Sequence, residues 1–410
     1  MKFIHAADIH LDSPLCGLAR YEGAPVEQMQ AATRRAFINL IDLACTEAVD
    51  FVLLAGDLYD GNWKDYNTGL FFNQQMSRLR EANIRAFIVY GNHDAGNSIT
   101  HQLRLPENVK EFSSHHPETF TLTDLGVVLH GQSFAEKTVT EDLSAQYPKA
   151  CADYFNIGLL HTSVNGREGH AHYAPCTVSG LLAKGYDYWA LGHVHTRETL
   201  HEKPWIVFPG NLQGRHVRET GDKGCTLVKV ANNGRVSLQH CAVDVLRWEI
   251  CRLDVSEVTH ADEVIDRARW AVTQALQQAD GRPLAVRFTI TGACPVHAEL
   301  HSHSERWVNE IRSVATDVGL GHVWVEKINL QTHAVDSMDL QEEGALGELV
   351  SALRALPQDE DILQSLSVEL RSLKKELPAG HSIDLEHPET IRQALNGVKE
   401  LLLARLLGQR

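Results

Sequence analysis

The chain of 410 residues has no C-x-x-C pair, although it carries eight cysteines. They are scattered at Cys16, Cys45, Cys151, Cys176, Cys225, Cys241, Cys251 and Cys294. That spacing fits neither a disulfide framework nor a thiolate metal site and reads as reduced thiols, mostly in the core. No apolar run approaches the roughly 20 residues that a membrane-spanning helix needs. No G-x-x-x-x-G-K-[ST] segment occurs, so the chain has no P-loop nucleotide site of its own. Thirteen prolines and 29 glycines are too few for a fibrous or disordered chain. Basic charge is also short: 38 Lys and Arg face 53 Asp and Glu, a net charge of −15 that argues against a non-specific nucleic-acid binder. The stretch 201–250 is the net basic exception, with 7 basic against 5 acidic groups. The opening, MKFIHAADIH, brings ionisable residues within ten positions, unlike a secretory leader, and the expectation is a cytoplasmic protein.

What is present is an ordinary globular balance, 43% hydrophobic and 22% charged, with length for two or three domains. Five segments share one design, a short apolar and β-branched run ending abruptly in Asp, Asn or His. They are KFIHAADIH, DFVLLAGDLYD, RAFIVYGNHD, FNIGLLHTS and YDYWALGHVH. Such runs suit strands buried on both faces. Amphipathic stretches at 28–48 and 68–82 separate the first three, which gives βαβ units. TFTLTDLGVVLHG reads as a hairpin, and WIVFPGNLQ, CTLVKV and RVSLQH add strands up to about residue 245. The expected fold class is α/β, a two-sheet sandwich flanked by helices over residues 1–245. A small α+β domain follows at 246–335, with strands at 247–255, 284–291 and 323–330 and helices at 261–278 and 296–318. A helical tail occupies 344–410, its last helix (389–407) ending in LLLARLL.

The polar residues of the five runs sit at or just past the C-terminal strand ends, the edge where α/β sheets bind ligands. Collected there are Asp8, His10, Asp57, Asn92, His93, Asp94, His161, His193 and His195. Seven of them are candidate metal ligands: Asp8, His10, Asp57, Asn92, His161, His193 and His195. Carboxylate, imidazole and amide oxygen without thiolate suit Mn²⁺, Fe²⁺ or Zn²⁺. Seven ligands exceed the four of one tetrahedral site, which implies two ions with one shared carboxylate. Other histidines carry less. His297 and His301 have i,i+4 spacing but no third ligand, so a surface helix is expected there. His115, His116, His170 and His172 fall in loop-like, solvent-exposed stretches.

In order, D-x-H, G-D, G-N-H-D, a lone H and G-H-x-H resemble the calcineurin-like metallophosphoesterase superfamily over about residues 1–200. Within it, HAADIHLDSPL, GDLYDG and the domain order resemble the SbcD-type nuclease subunits, and YhaO-like DNA-repair exonuclease proteins in particular. The resemblance implies a metallophosphoesterase sandwich, with 246–335 as a capping domain that places DNA over the metals. It assigns Asp8, His10 and His195 to one ion and Asn92, His161 and His193 to the other, with Asp57 bridging and Mn²⁺ as the expected metal. It makes a water activated by both charges the nucleophile, His93 the proton donor to the leaving oxygen, and Asp94 a residue that orients His93. Arg215 and Arg218, in the basic stretch, are candidates to grip a DNA backbone. The implied partners are DNA, an SMC-like coiled-coil ATPase (YhaN-like or SbcC-like) docked on the helical tail, and a second copy of the chain; no membrane is implied. One position departs from the pattern. Exonuclease members usually carry a histidine three residues after the bridging aspartate, where this chain has Asp60, and a carboxylate there is expected to repel phosphate. Two alternatives stand beside a DNA phosphodiesterase: a small-molecule phosphatase or phosphodiesterase, which would not need residues 246–410, and a non-catalytic scaffold subunit of the ATPase complex.

Overall fold

The computed structural model describes residues 1–13, 31–60, 66–95, 104–164, 173–335 and 359–376, with isolated positions between 348 and 402. Strand β1 (Lys2–Ala6) is followed by α1 (Ala32–Glu47), β2 (Phe51–Ala55), α2 (Tyr66–Glu81), β3 (Arg85–Val89) and the short β4 (Val109–Glu111). The expected hairpin is β5 (Glu118–Leu122) with β6 (Val127–Gly131), paired antiparallel. After it come β7 (Phe155–His161), α3 (Val178–Leu182), β8 (Tyr188–Gly192), β9 (Glu198–Glu202), β10 (Trp205–Phe208), β11 (Gly224–Val230) and β12 (Val236–Ala242). Two six-stranded sheets result, in the orders β12-β11-β1-β2-β3-β4 and β5-β6-β7-β8-β10-β9. In the first, β1 to β4 run parallel, and in the second, β6, β7, β8 and β10 do.

The burial pattern explains why these strands lack polar alternation. On β1, Phe3 points between the sheets with Phe51, Phe87, Leu129, Ile157 and Tyr188. Its neighbour Ile4 points the other way, joining Val52, Leu54 and Ile88 against Phe37, Leu40 and Met76 of α1 and α2. The second sheet is covered in the same manner, where Leu160, Trp189, Leu191 and Phe208 meet Tyr147 and Tyr186. A strand enclosed on both faces must be apolar at every position, and each fully buried side chain of this size contributes about 1.5–3 kcal/mol. A polar side chain inside the sandwich is His5, fully buried. Its Nε2 lies 3.1 Å from the Leu191 carbonyl and its Nδ1 3.0 Å from the Tyr188 hydroxyl. The carbonyl can only accept, so Nε2–H donates to it and Nδ1 accepts from the phenol. Burial holds His5 neutral and lowers its pKa to about 3.

Contacts divide the chain into two units, one formed by Met1–Glu249 with Ala279–Ala285 and the other by Ile250–Gln278 with Val286–Arg410. The second is built on a three-stranded sheet in the order β13 (Arg247–Asp254), β14 (Leu284–Ala293), β15 (Val323–His333). Helix α4 (Asp262–Gln278) buries Val264, Ala268, Val272 and Ala275. The single helix expected at 296–318 is two, α5 (His297–Ser302) and α6 (Ser304–Gly319), because His303 leaves helical geometry with ψ at 36°. His297 is not on a surface helix face. It is 3% exposed and its Nδ1 lies 3.0 Å from the Thr332 hydroxyl. In the tail, α7 (Glu360–Glu376) buries Leu363, and Glu360 pairs with Arg392 at 2.9 Å. LLLARLL, apart from Leu402, and Cys16, His170 and His172 lie outside the described residues. Among the described residues, the seven other cysteines are free and no helix is long and apolar enough to cross a membrane.

His5 ties folding to acidity. Above its unfolded value of 6.5 both states are neutral and its contribution to stability is complete. Below that value the unfolded chain takes a proton that the folded one refuses, which costs about 2 kcal/mol by pH 5. Replacing His5 with Gln, which keeps a donor and an acceptor, is expected to flatten the fall in thermal stability between pH 7 and 5. Equal acid slopes for the two proteins would contradict this role.

Candidate metal centre

The five polar strand ends converge because their backbones are interlocked. Asp8 N–H donates to the Gly56 carbonyl at 3.0 Å and His10 N–H to the Asp57 carbonyl at 3.0 Å, so the turn after β1 lies along the turn after β2. Asp57 Oδ1 accepts the N–H of His93 at 2.9 Å, and both oxygens of Asp8 accept the N–H of His193, at 3.1 and 3.0 Å. Each of these carboxylates thus fixes the backbone of another block while still facing the centre. The turns are strained: φ is positive at Asp8 (51°), His10 (46°), Asp57 (52°) and His193 (107°). Non-glycine residues hold such values only where the surroundings enforce them, often at functional sites. The glycines of the motifs allow the close approach. A Cβ at Gly192 would lie 1.8 Å from the Ala55 carbonyl oxygen, and one at Gly56 2.3 Å from His161 Nδ1.

All seven candidate ligands come together. Asp8, His10 and His195 form one group of converging donor atoms, and Asp57, His161 and His193 form a second. His10 Nε2 is 3.2 Å from His195 Nε2, His195 Nε2 is 3.7 Å from Asp8 Oδ1, and His10 Nε2 is 3.9 Å from Asp57 Oδ2. On the other side, His161 Nε2 is 3.0 Å from Asn92 Oδ1 and 3.4 Å from Asp57 Oδ2. Asp57 therefore faces both groups. The proton positions decide what these contacts are. His161 Nδ1 lies 2.9 Å from the Ala55 carbonyl and must donate to it; His195 Nδ1 likewise donates to Glu219 Oε1 at 2.7 Å. With Nδ1 donating, each ring when neutral turns its Nε2 lone pair to the centre, that of His161 toward Asn92 and Asp57 and that of His195 toward His10 and Asp8. Atoms that share a cation at bond lengths of about 2.1 Å stand about 3.0–3.4 Å apart. The donor set fits divalent cations in both spacing and chemistry.

Charge in the protein alone tells the same story. Burial opposes ionisation of both Asp57 and His161, yet their attraction wins: Asp57 is held below the usual carboxylate range and His161 is raised to about 9. Burial, then the Arg215 charge, lowers His10 to about 4. Burial pushes Asp8 up against the opposing pull of His195 and His161.

His93 stands apart from the ligands. Its side chain is 38% exposed, whereas those of His10, Asp57 and His161 are 1%, 2% and 0% exposed, so among these four it is the one that a substrate can reach. Its Nδ1 is 3.0 Å from Asp60 Oδ1, a hydrogen bond that raises its pKa against burial. This corrects the expectation that Asp94 orients His93. Asp94 is buried and accepts the backbone N–H groups of Leu58, Tyr59 and Gly91 at 3.2, 3.0 and 2.9 Å, which lashes the turn after β3 to the turn after β2. Burial, with Asp57 beside it, raises Asp94 to about 7. Asp60 is corrected too, since it is no bare charge facing substrate. It accepts from Ser13 Oγ at 2.7 Å, pairs with His93 and has Arg215 Nη1 at 3.8 Å. Burial would raise its pKa, but His10 beside it at 3.7 Å and the hydrogen bonds from His93 and Ser13 hold it below the usual range. Of the two arginines expected on DNA, Arg218 is exposed, while Arg215 is 13% exposed and drawn in toward Asp60 and Glu219.

Glu219 is the residue that sequence reasoning missed. It is 6% exposed, and besides His195 it accepts from Asn211 Nδ2 at 2.9 Å and from the Arg215 N–H at 2.7 Å. Burial works against its charge, but the hydrogen bond from His195 and the Arg215 charge hold it below the usual range. No spacing rule points to it. The signal is chemical: an imidazole that offers one nitrogen to a metal needs an acceptor for the other N–H.

Two protein-family models match the chain: calcineurin-like phosphoesterase over residues 1–197, and metallophosphoesterase YhaO, middle domain, over 248–333. The protein described as uncharacterized metallophosphoesterase YhaO of Bacillus subtilis (strain 168) is 36% identical over 299 residues, covering 72% of each chain. The DNA double-strand break repair protein Mre11 of Methanopyrus kandleri is 23% identical over 411 aligned residues, 92% of this chain and 84% of that one. The class is that of the calcineurin-like metallophosphoesterases, with the two-sheet α/β sandwich described above. Within it, the chain belongs to the YhaO family of metallophosphoesterases.

If Glu219 fixes the tautomer and direction of His195, then Glu219→Ala is expected to weaken divalent-cation binding about tenfold while the fold is kept. Calorimetric titration of the variant with Mn²⁺ checks this, and an unchanged affinity would exclude the orienting role.

Proposed function

We propose that this metallophosphoesterase is a two-metal phosphodiesterase that hydrolyses DNA, with Mn²⁺ as its metal. The observation that carries the reading is the convergence of ligand atoms from Asp8, His10 and His195 on one side and Asn92, His161 and His193 on the other, with Asp57 facing both. Those residues would hold the ions, whose chemistry when bound is to favour attack of water on phosphorus and to neutralise charge on the phosphoryl oxygens. The chain's own groups do the rest. Asp60 holds His93 through Nδ1, which leaves Nε2 as the nitrogen available to give a proton to the leaving oxygen. Ser13 and Arg215 keep Asp60 in place. Nitrogen and oxygen donors without thiolate are the chemistry on which the choice of Mn²⁺ rests.

DNA as substrate is supported by the likeness to the Methanopyrus repair protein along most of both chains, since that protein is named for DNA double-strand break repair. The second unit argues in the same direction, because a phosphatase for small esters does not require it. An SMC-like ATPase, YhaN-like or SbcC-like, is the partner we expect on the helical tail, with a second copy of the chain as the further partner. The proposed setting is a cytoplasmic repair or end-processing complex.

Replacing His93 with Gln is expected to reduce hydrolysis of bis(p-nitrophenyl) phosphate and of linear DNA at least a hundredfold, in the range of general-acid contributions. Metal content, measured by plasma mass spectrometry, should match that of the parent. Undiminished rates would contradict the role given to His93, a parent without hydrolytic activity would favour the scaffold reading, and activity on phosphomonoesters alone would favour a small-molecule phosphatase.

A further inference from the structure

Two histidine–carboxylate pairs flank the centre, His93 with Asp60 and His195 with Glu219, and one guanidinium stands between them. Arg215 Nη1 is 3.3 Å from Ser13 Oγ and 3.8 Å from Asp60 Oδ2, while Nη2 is 3.5 Å from Glu219 Oε1 and 3.4 Å from His195 Nδ1. Asp60 and Glu219 belong to different loops, after β2 and after β10, and the two ends of a rigid, planar fork can serve both at once. The side chain is 13% exposed, so the fork is already turned inward on the protein's own carboxylates. Each carboxylate also has anchors that do not involve the guanidinium: Ser13 and His93 for Asp60, and Asn211, His195 and the Arg215 backbone N–H for Glu219. Loss of the side chain would therefore leave the loops tied and remove one positive charge from beside the donor atoms.

We propose that Arg215 is a positioning residue that couples the two pairs, placing His93 through Asp60 while its charge weakens cation binding at Asp8, His10 and His195. The inference rests on the two-metal reading above. It assigns Arg215 a cost as well as a benefit, because a cation fixed a few ångströms from a metal site repels the metal. That gives the residue a signature that neither a substrate clamp nor a purely structural arginine would have.

The test uses the full-length chain with Arg215→Gln and Arg215→Lys. Mn²⁺ affinity is read by calorimetry without substrate, and kcat and KM are read with bis(p-nitrophenyl) phosphate. For Arg215→Gln the expected result is Mn²⁺ binding about fivefold tighter with kcat lowered at least tenfold. Arg215→Lys, which keeps the charge but cannot span both carboxylates, should bind Mn²⁺ as the parent does and still lose kcat. A rise in KM with kcat and Mn²⁺ affinity unchanged would mean a substrate clamp and overturn the proposal. Mn²⁺ affinity and kcat falling together would mean a structural role and overturn it as well. A parent protein that takes up no Mn²⁺ would overturn the metal reading itself, and the coupling with it.

Discussion

Imidazole, carboxylate and amide ligand atoms crowded at one sheet edge are the constraint on which the rest of this molecule turns. The Nε2 atoms of His10 and His195 stand 3.2 Å apart, and that of His161 stands 3.0 Å from an amide oxygen, in a place from which water is largely excluded. With Nδ1 of His161 and His195 committed to acceptors, a folded chain without cations holds a proton at His161, whose pKa the Asp57 charge raises against burial. Divalent ions would take the place of that proton. Burying such a set costs stability, and proteins keep costly buried polar groups where chemistry needs them.

The sandwich is what makes the convergence affordable in backbone terms. Parallel strands enclosed on both faces end at one edge, and strained turns at Asp8, His10, Asp57 and His193 point their side chains back across it. The strain is held by hydrogen bonds between blocks, with Asp8 and Asp57 serving as ligand candidates and backbone clamps together. Asp94 extends that clamp without facing the centre. Around the edge, a layer of carboxylates (Asp60 and Glu219) aims the exposed and half-exposed histidines, and Arg215 stands between them.

Much of this was legible in the sequence, for identifiable reasons. A strand buried on both faces, such as β2 or β8, announces itself by an unbroken apolar run, and a polar residue directly after such a run has nowhere to go but the sheet edge. The positions of Asp57 and His193 follow from that alone. Two of the edge strands were not legible: β4 reads VKE and β9 reads ETLHE, polar segments that owe their strand form to one paired neighbour. Nor was the contact layer. His93 meets Asp60 rather than Asp94, and His195 meets Glu219, through loops whose paths obey no period. Nor was the setting of Arg215, since a basic stretch signals charge but not whether neighbouring acids already answer it.

The most direct measurement is a crystal structure of the full chain grown with Mn²⁺ and recorded at the manganese absorption edge. Two anomalous peaks about 3.5–4 Å apart, with Asp57 between them, are predicted for a binuclear centre. A single peak, or peaks away from Asp8, His161 and His193, would contradict it.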